Sequence, residues 1–549
     1  MKKTIFTLIM VTALLYGVYR EVYSQPVTIE RVQLNANNIS TYFQNTGIFN
    51  QNTSVPQGTA GFEWPKNSGK YAIFSTGFTI AGYIGGQFAM TAASYKGEYS
   101  PGYSLGGIYY TGASFKIYKV TRGDNSITNP DYANWGLMVP YGAPYKDMNN
   151  NGIYDQDIDT PGVKNAAQTI FMALTDANVA QYTSGEGFGG GVTTPLLHLD
   201  LRLTAWCYSQ TLFEDMQFVK MVIINKNSLP WNNVYTGIVC DPDIGDANDD
   251  YIGCDQTLQL GYCYNADNYD NVYGTSPPAV GMILLKGINN PVNLGMTSFN
   301  FFTPNGENPP PCESDPNGEP IPAYYMLKGL KKDQSPFMDA SFTTPVATKF
   351  NYYGNPMTNI GWTEYKGKID NCGGTTGPLT VPTIPGNRRF ILGSGADNFT
   401  VAPNETQTIY LCQLIAGGTS NKNSPESNLS SVTKLKQIAA NAWDLYNSNF
   451  TIGINNVNSE IPEKFSLYQN YPNPFNPVTK IRFDVVKPGN VLLKVYDIQG
   501  KEVATLVNEK LSPGTYETNW DGSVFSSGVY FYRITDGEYT ETKMMTLIK

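Results

Sequence analysis

Residues 481–495 read IRFDVVKPGNVLLKV, and apolar side chains recur in them at every second position: Ile481, Phe483 and Val485, then Val491, Leu493 and Val495. A period of two puts alternate side chains on opposite faces of a strand, so each run predicts a half-buried β-strand. Tyr530, Tyr532 and Ile534 repeat the pattern. Gly500, the Pro513-Gly514 pair, Gly522, Gly528 and Gly537 fall between the runs, where turns need φ > 0 or a preset φ. Short strands and tight turns predict a small antiparallel, Ig-like β-sandwich over residues 464–549. In YPNPFNP, residues 471–477, Pro472, Pro474 and Pro477 fix φ and remove backbone donors. That segment reads as an extended stretch beside a sheet edge.

Moving outward, residues 25–446 form a long body, with 447–463, rich in Asn and Ser, as its linker to the terminal module. Hydrophobic residues make up 41% of the chain and charged residues only 15%, with 53 Gly, 38 Tyr and 35 Pro, a composition that favours many short strands. Leu199, Leu201, Leu203 and Ala205 alternate with His198, Asp200, Arg202 and Thr204, predicting a surface strand with one solvated face. Residues 218–224 and 234–240 are apolar on both faces apart from Lys220, so they read as central strands, paired through residues 225–233. Residues 399–417 read as a hairpin turning at Pro403-Asn404. One helix is expected near 430–446, where Val432, Leu435, Ala439, Ala442 and Tyr446 share a face. The expected class is all-β: a large β-sandwich body, as one double sandwich or two to three sandwich domains, plus the small terminal sandwich.

At the other end, Lys2 and Lys3 precede an apolar run from Ile5 to Val18, and Ser24 offers a cleavage point before Gln25. Residues 1–24 therefore read as a secretory signal peptide. No later stretch approaches the ~20 apolar residues of a membrane-spanning helix, so none is expected in the mature protein.

The blocks FSLYQNYPNPFNPVTKIRF (from Phe465), LLKVYDIQGKEVATLVN, LSPGTYETNWDG and SSGVYFYRITDGEYTETKMMTLIK resemble, in that order and without a gap, the type A C-terminal sorting domain of type IX secretion cargo. The resemblance implies passage through the periplasm to the outer cell surface or the medium, with the type IX machinery and its sortase as partners. The body, from GFEWPKNSGKYAIFSTGF (Gly61) onward, resembles those of other large exported proteins of such bacteria, a likeness that carries no function with it.

The net charge is −9, and the excess acid lies in the body, because the leader is basic and the terminal module is balanced. Such a surface repels nucleic acid, which binds through Lys and Arg, and suits divalent cations. The sequence DMNNNGIYDQDID, from Asp147, sets Asp147, Asn149, Asn151, the Ile153 carbonyl and Asp155 at positions 1, 3, 5, 7 and 9 of a calcium-loop template, with Gly152 at the bend. Position 12 is Ile158, flanked by Asp157 and Asp159, and Pro161 forbids a long exit helix. The expectation is an isolated calcium loop closed by Asp157 or Asp159 rather than an EF-hand. A second cluster, DPDIGDANDDYIGCD, crowds Asp241, Asp243, Asp246, Asp249, Asp250 and Asp255 together, and calcium would relieve their mutual repulsion.

Seven cysteines in an exported chain permit disulfides, and a bridge among Cys240, Cys254 and Cys263 would staple the second acidic loop. A lone histidine, His198, excludes the usual zinc sets and has no nucleophile motif beside it. The expected function is a non-catalytic, calcium-stabilised protein of the cell surface or medium, acting in adhesion or glycan binding, with surface glycan or lipopolysaccharide as ligand. The alternative is a secreted polysaccharide hydrolase using paired Asp/Glu, for which Trp64, Trp135, Trp206, Trp231 and Trp362 would be candidate sugar platforms.

Overall fold

The structure, a computed structural model, describes residues 25–549 apart from 56–57, 150, 183–187, 189–193, 211, 290, 419–426, 451–454, 459–461, 512, 523–524 and 538. The signal peptide expected at residues 1–24 lies outside the described residues. The chain forms two compact units, one ending at Ala442 and the other spanning Trp443–Lys549.

Two large antiparallel sheets make the first unit. One runs in the order Arg31–Leu34, Ser40–Gln44, Ile48–Phe49, Tyr71–Ile84, Trp231–Pro242, Arg389–Gly395, Ser298–Phe302. The other runs Tyr118–Thr121, Gln168–Thr175, Leu199–Cys207, Met216–Asn225, Thr406–Ala416, Ala279–Lys286, Leu260–Asn265, Asp250–Asp255. Phe78, Ile80, Ile238 and Leu392 from the first sheet share one buried core with Met172, Leu201, Leu203, Met221 and Leu411 from the second. This is face-to-face sandwich packing, in which each fully buried aliphatic side chain contributes about 1.5–3 kcal/mol.

Both sheets are also covered outside, which overturns one expectation from the sequence. Along Leu199–Cys207 the polar face is buried too, with Asp200 only 7% and Thr204 only 5% exposed. Part of the cover comes from a distant segment, whose Ser104 N–H donates to Asp200 Oδ1 at 2.7 Å, and on the same face Trp206 stacks on Phe218 of the adjacent strand. On the neighbouring strand, Ile170 and Met172 face the central core while Phe171 and Ala173 meet Trp135 and Met138 outside. On the first sheet, helix Pro320–Leu327 packs against Tyr235, Val239 and Ile391. Its close approach requires Gly237, since a Cβ there would lie 2.4 Å from Leu327 Cδ2.

Two pairings differ from the sequence reading. Strand Met216–Asn225 pairs with Leu199–Cys207 and Thr406–Ala416, whereas Trp231–Pro242 pairs with Tyr71–Ile84 and Arg389–Gly395, so their short connection crosses between the sheets. Residues 399–417 do the same rather than forming a hairpin: Thr400–Val401 joins the first sheet and Thr406–Ala416 the second. A run apolar on both faces specifies burial, and the choice of partner is left to tertiary packing. The expected helix forms as Ser427–Asn447, with Val432, Leu435, Ala439 and Ala442 buried.

The terminal unit holds two four-stranded sheets: Asn455–Asn458, Gly514–Asp521, Val478–Val485, Ser466–Leu467, and Glu502–Leu511, Gly489–Tyr496, Gly528–Asp536, Tyr539–Leu547. Ile481, Phe483, Val485, Val491, Leu493, Val495, Tyr532 and Ile534 meet in its core. Within the stretch read as linker, Asn455–Asn458 pairs with Gly514–Asp521 as an edge strand.

Candidate functional site

The loop of residues 147–159 closes a short hairpin whose strands, Tyr145–Lys146 and Thr160–Pro161, pair directly. Asp147 takes the N–H of Gly152 on Oδ2 at 2.7 Å, and Asn149 and Asn151 both turn their side-chain amides to Asp155 Oδ2, at 2.8 and 2.7 Å. Asp159 is buried and accepts from the Met148 and Asp155 N–H groups, each at 2.8 Å. The carboxylate closing the loop is therefore Asp159; Asp157 is exposed, as is Ile153. Asn149, Asn151 and Asp155 thus meet side chain to side chain, while Asp147 accepts from the Asn151 and Gly152 N–H groups beside them.

The six acids of the second cluster do not form one site. Asp241 is buried between Tyr95, which donates to its Oδ2 at 2.8 Å, and Arg389, whose Nε lies 3.2 Å from Oδ1. Burial drives the carboxyls of Asp243 and Asp250 well above the ordinary range, and Oδ1 of each is buried without a hydrogen-bond partner among the described residues. Asp249, pushed up to about 6 by desolvation, accepts from the Asn265 amide, while hydrogen bonds led by Asn271 lower Asp246. Asp255 ends the strand that Asp250 begins, roughly 16 Å away at the usual rise per residue, and pairs with Lys436 at 2.9 Å. Among the described residues, one triad of Cys, His, Asp or Glu ligand atoms lies within 4.8 Å, Cys312, Asp333 and Cys372. Its two sulfurs are bonded to each other.

That bond replaces the expected bridge near the second cluster, for Cys207, Cys240, Cys254, Cys263 and Cys412 are free and buried. The carboxylates that sequence reasoning missed are buried as ion pairs: Glu364 with Arg388 at 3.0 Å, and Glu313 with Lys331 and Lys368, each at 2.6 Å. Their partners lie far along the chain, so no local pattern marks them.

The body also carries a cleft of ≈ 380 Å³. Tyr251 and Tyr264, directly opposite on paired strands, form part of its lining, and Tyr365, 58% exposed, stands beside them. Asp267, Asn268, Asn359 and Asn428 supply polar groups. The Tyr251 hydroxyl donates to the Thr383 carbonyl at 2.6 Å, and burial pushes its pKa up to about 12, so it stays neutral. Of the five tryptophans offered as platforms, Trp135, Trp206, Trp231 and Trp362 are buried, while the half-buried Trp64 donates to Asp215.

In the terminal unit, YPNPFNP touches both sheets, with Tyr471 bridging Lys480 and Phe475 bridging Leu547. The Asn470 amide donates to Thr479 Oγ1 at 2.9 Å, and Phe475 packs on Trp520. Residues 469–548 match the family model described as a secretion system C-terminal sorting domain. The chain is a type IX secretion cargo. No curated protein matches it. As such a cargo it engages the type IX machinery and is delivered to the cell surface or the extracellular space. Among its described residues no helix is long and apolar enough to cross a membrane.

The cargo's one histidine differs from expectation. His198 precedes the strand Leu199–Cys207 at φ +52°, half-buried, with Nδ1 enclosed and lacking a hydrogen-bond partner among the described residues. Burial lowers its pKa, which favours the neutral ring.

Proposed function

We propose that this cargo is a non-catalytic glycan-binding protein of the cell surface or medium, whose ligand occupies the cleft lined by Tyr251, Tyr264 and Tyr365. The carrying observation is the composition of that cleft. Tyr365 offers an exposed ring beside the side chains of Asp267, Asn268, Asn359 and Asn428. An aromatic face stacks on the C–H side of a sugar, and amides pair with hydroxyls as both donor and acceptor. The volume suits a ligand of one or two sugar rings. Among the cleft's described lining residues Asp267 is the one carboxylate, whereas a glycosidase places two across the scissile bond. A surface polysaccharide, with lipopolysaccharide as one source, is the proposed class.

Calcium is the proposed structural cofactor, held by Asp147, Asn149, Asn151, Asp155 and Asp159, with the Ile153 carbonyl completing an all-oxygen set. The convergence of these side chains within one short hairpin loop supports the assignment. In this reading the type IX sortase processes the terminal module.

A glycan array of the secreted protein and its Tyr365→Ala variant tests the proposal. Retention of a defined set of glycans by the native protein, lost in the variant at unchanged melting temperature, is expected. Equal retention by both, or none by either, overturns it.

A further inference from the structure

Glu313, Lys331 and Asn371 meet in the interior of the body, only 1%, 0% and 2% exposed. The Lys331 ammonium donates to Glu313 Oε1 at 2.6 Å and to Asn371 Oδ1 at 2.5 Å. Its nitrogen also lies 5.2 Å from the centre of the Phe337 ring and 3.4 Å from the Ile369 carbonyl, so an apolar face closes one side of an otherwise polar buried site. We propose that Lys331 and Asn371 become joined by an intramolecular isopeptide bond, formed with Glu313 as the acid–base group and released ammonia as the other product.

The geometry supplies each requirement. A C=O bond of about 1.23 Å places the Asn371 amide carbon no more than about 3.7 Å from Lys331 Nζ, close to attack distance. The amide is held in place, since its NH₂ donates to the carbonyls of Pro336 at 2.9 Å and Gly374 at 2.6 Å. The Cys312–Cys372 disulfide fixes the immediate neighbours of Glu313 and Asn371, which ties base and electrophile to one point. Lys331 is anchored as well, its N–H donating to the Ser335 carbonyl at 2.9 Å.

Glu313 removes one proton from the ammonium, and the freed amine attacks Asn371 Cγ to give a tetrahedral adduct. Glu313 then returns the proton to Nδ2. The Cγ–Nδ2 bond breaks, Nζ loses its remaining extra proton to the departing nitrogen, and ammonium leaves. One C–N bond forms and one breaks, with no change in oxidation state. The direction is favoured because a buried ammonium becomes a neutral amide, while Glu313 keeps Lys368 as its counter-ion at 2.6 Å. The product closes a loop across a separation of 40 residues, nested within the 60 spanned by the disulfide.

Peptide mass spectrometry of the full purified protein, reduced and alkylated before digestion, tests this. The expected result is a linked peptide pair joining Lys331 to Asn371, lighter than its two parts by one ammonia. In Glu313→Gln the same digest is expected to give the two separate peptides. Intact mass alone does not decide, because an N-terminal glutamine such as Gln25 also loses ammonia on cyclising. Recovery from the native protein of separate peptides with free Lys331 and intact Asn371 overturns the proposal, whether or not the variant folds. A link that persists fully in Glu313→Gln overturns the role given to Glu313.

Discussion

Asp241 and Arg389 face each other across adjacent central strands, one residue beyond the Cys240–Phe390 pair, with Arg389 Nε 3.2 Å from Asp241 Oδ1. Both are largely buried, and Tyr95 bridges them, donating to Asp241 at 2.8 Å and accepting from Arg389 at 2.5 Å. Arg389→Leu leaves Asp241 buried without its cation. The expected cost is about 3–5 kcal/mol, the usual result of removing one member of a buried pair. Chemical denaturation of the two proteins measures it, and a difference under about 1 kcal/mol would show that Asp241 takes up a proton in place of its cation.

Asp176 gives the fold a pH dependence. It is fully buried, accepts from the Leu199 N–H at 2.7 Å and from Thr91 at 3.0 Å, and desolvation raises its pKa to about 6. An acid whose folded pKa exceeds its unfolded value near 3.8 binds protons preferentially in the folded state. Its stabilising contribution is full below about pH 4 and is lost as pH rises through 6. The loss approaches about 3 kcal/mol at neutral pH. Stability curves at pH 4.5 and 7 should converge in Asp176→Asn relative to the native protein; an unchanged difference would assign the effect elsewhere.

Calcium binding at residues 147–159 should appear as linkage. A ligand that binds only the folded state stabilises it by about 2.7 kcal/mol at a hundredfold excess over its Kd. Chelation should lower the melting temperature, calcium should restore it, and Asp147→Ala with Asp155→Ala should remove most of the response. Identical melting curves with and without chelator would reduce the loop to a hydrogen-bonded turn.

Why some of this was legible in the sequence and some was not follows from the range of each interaction. Ile481, Phe483 and Val485 declare their strand because the face they bury lies within the same small module. The helix holding Val432, Leu435 and Ala439 was equally plain from its spacing. Asp200 misled because alternation reports polarity, while the segment that covers it comes from residues about a hundred positions away. The same limit hid the Cys312–Cys372 bridge and the ion pairs of Glu313 and Glu364. Of the candidate site, the 147–159 loop was readable from local spacing. The cleft was not, since Tyr251, Tyr365 and Asn428 meet only in the folded body.

Removal of residues 531–549 deletes the strand Tyr539–Leu547 and most of Gly528–Asp536, which carry Tyr532, Ile534, Met545 and Leu547 of the terminal core. The truncated protein should accumulate in the periplasm with its body folded. Fractionation of the native host with surface proteolysis checks this, and undiminished surface display would contradict it.

Binding without turnover is open to a single time course. The secreted protein is incubated with the polysaccharide it retains best, and bound ligand and new reducing ends are followed together. Saturable binding with no growth in reducing ends above the protein-free control is the predicted result. Reducing ends that accumulate with time and vanish in Asp267→Asn would contradict it and identify a hydrolase.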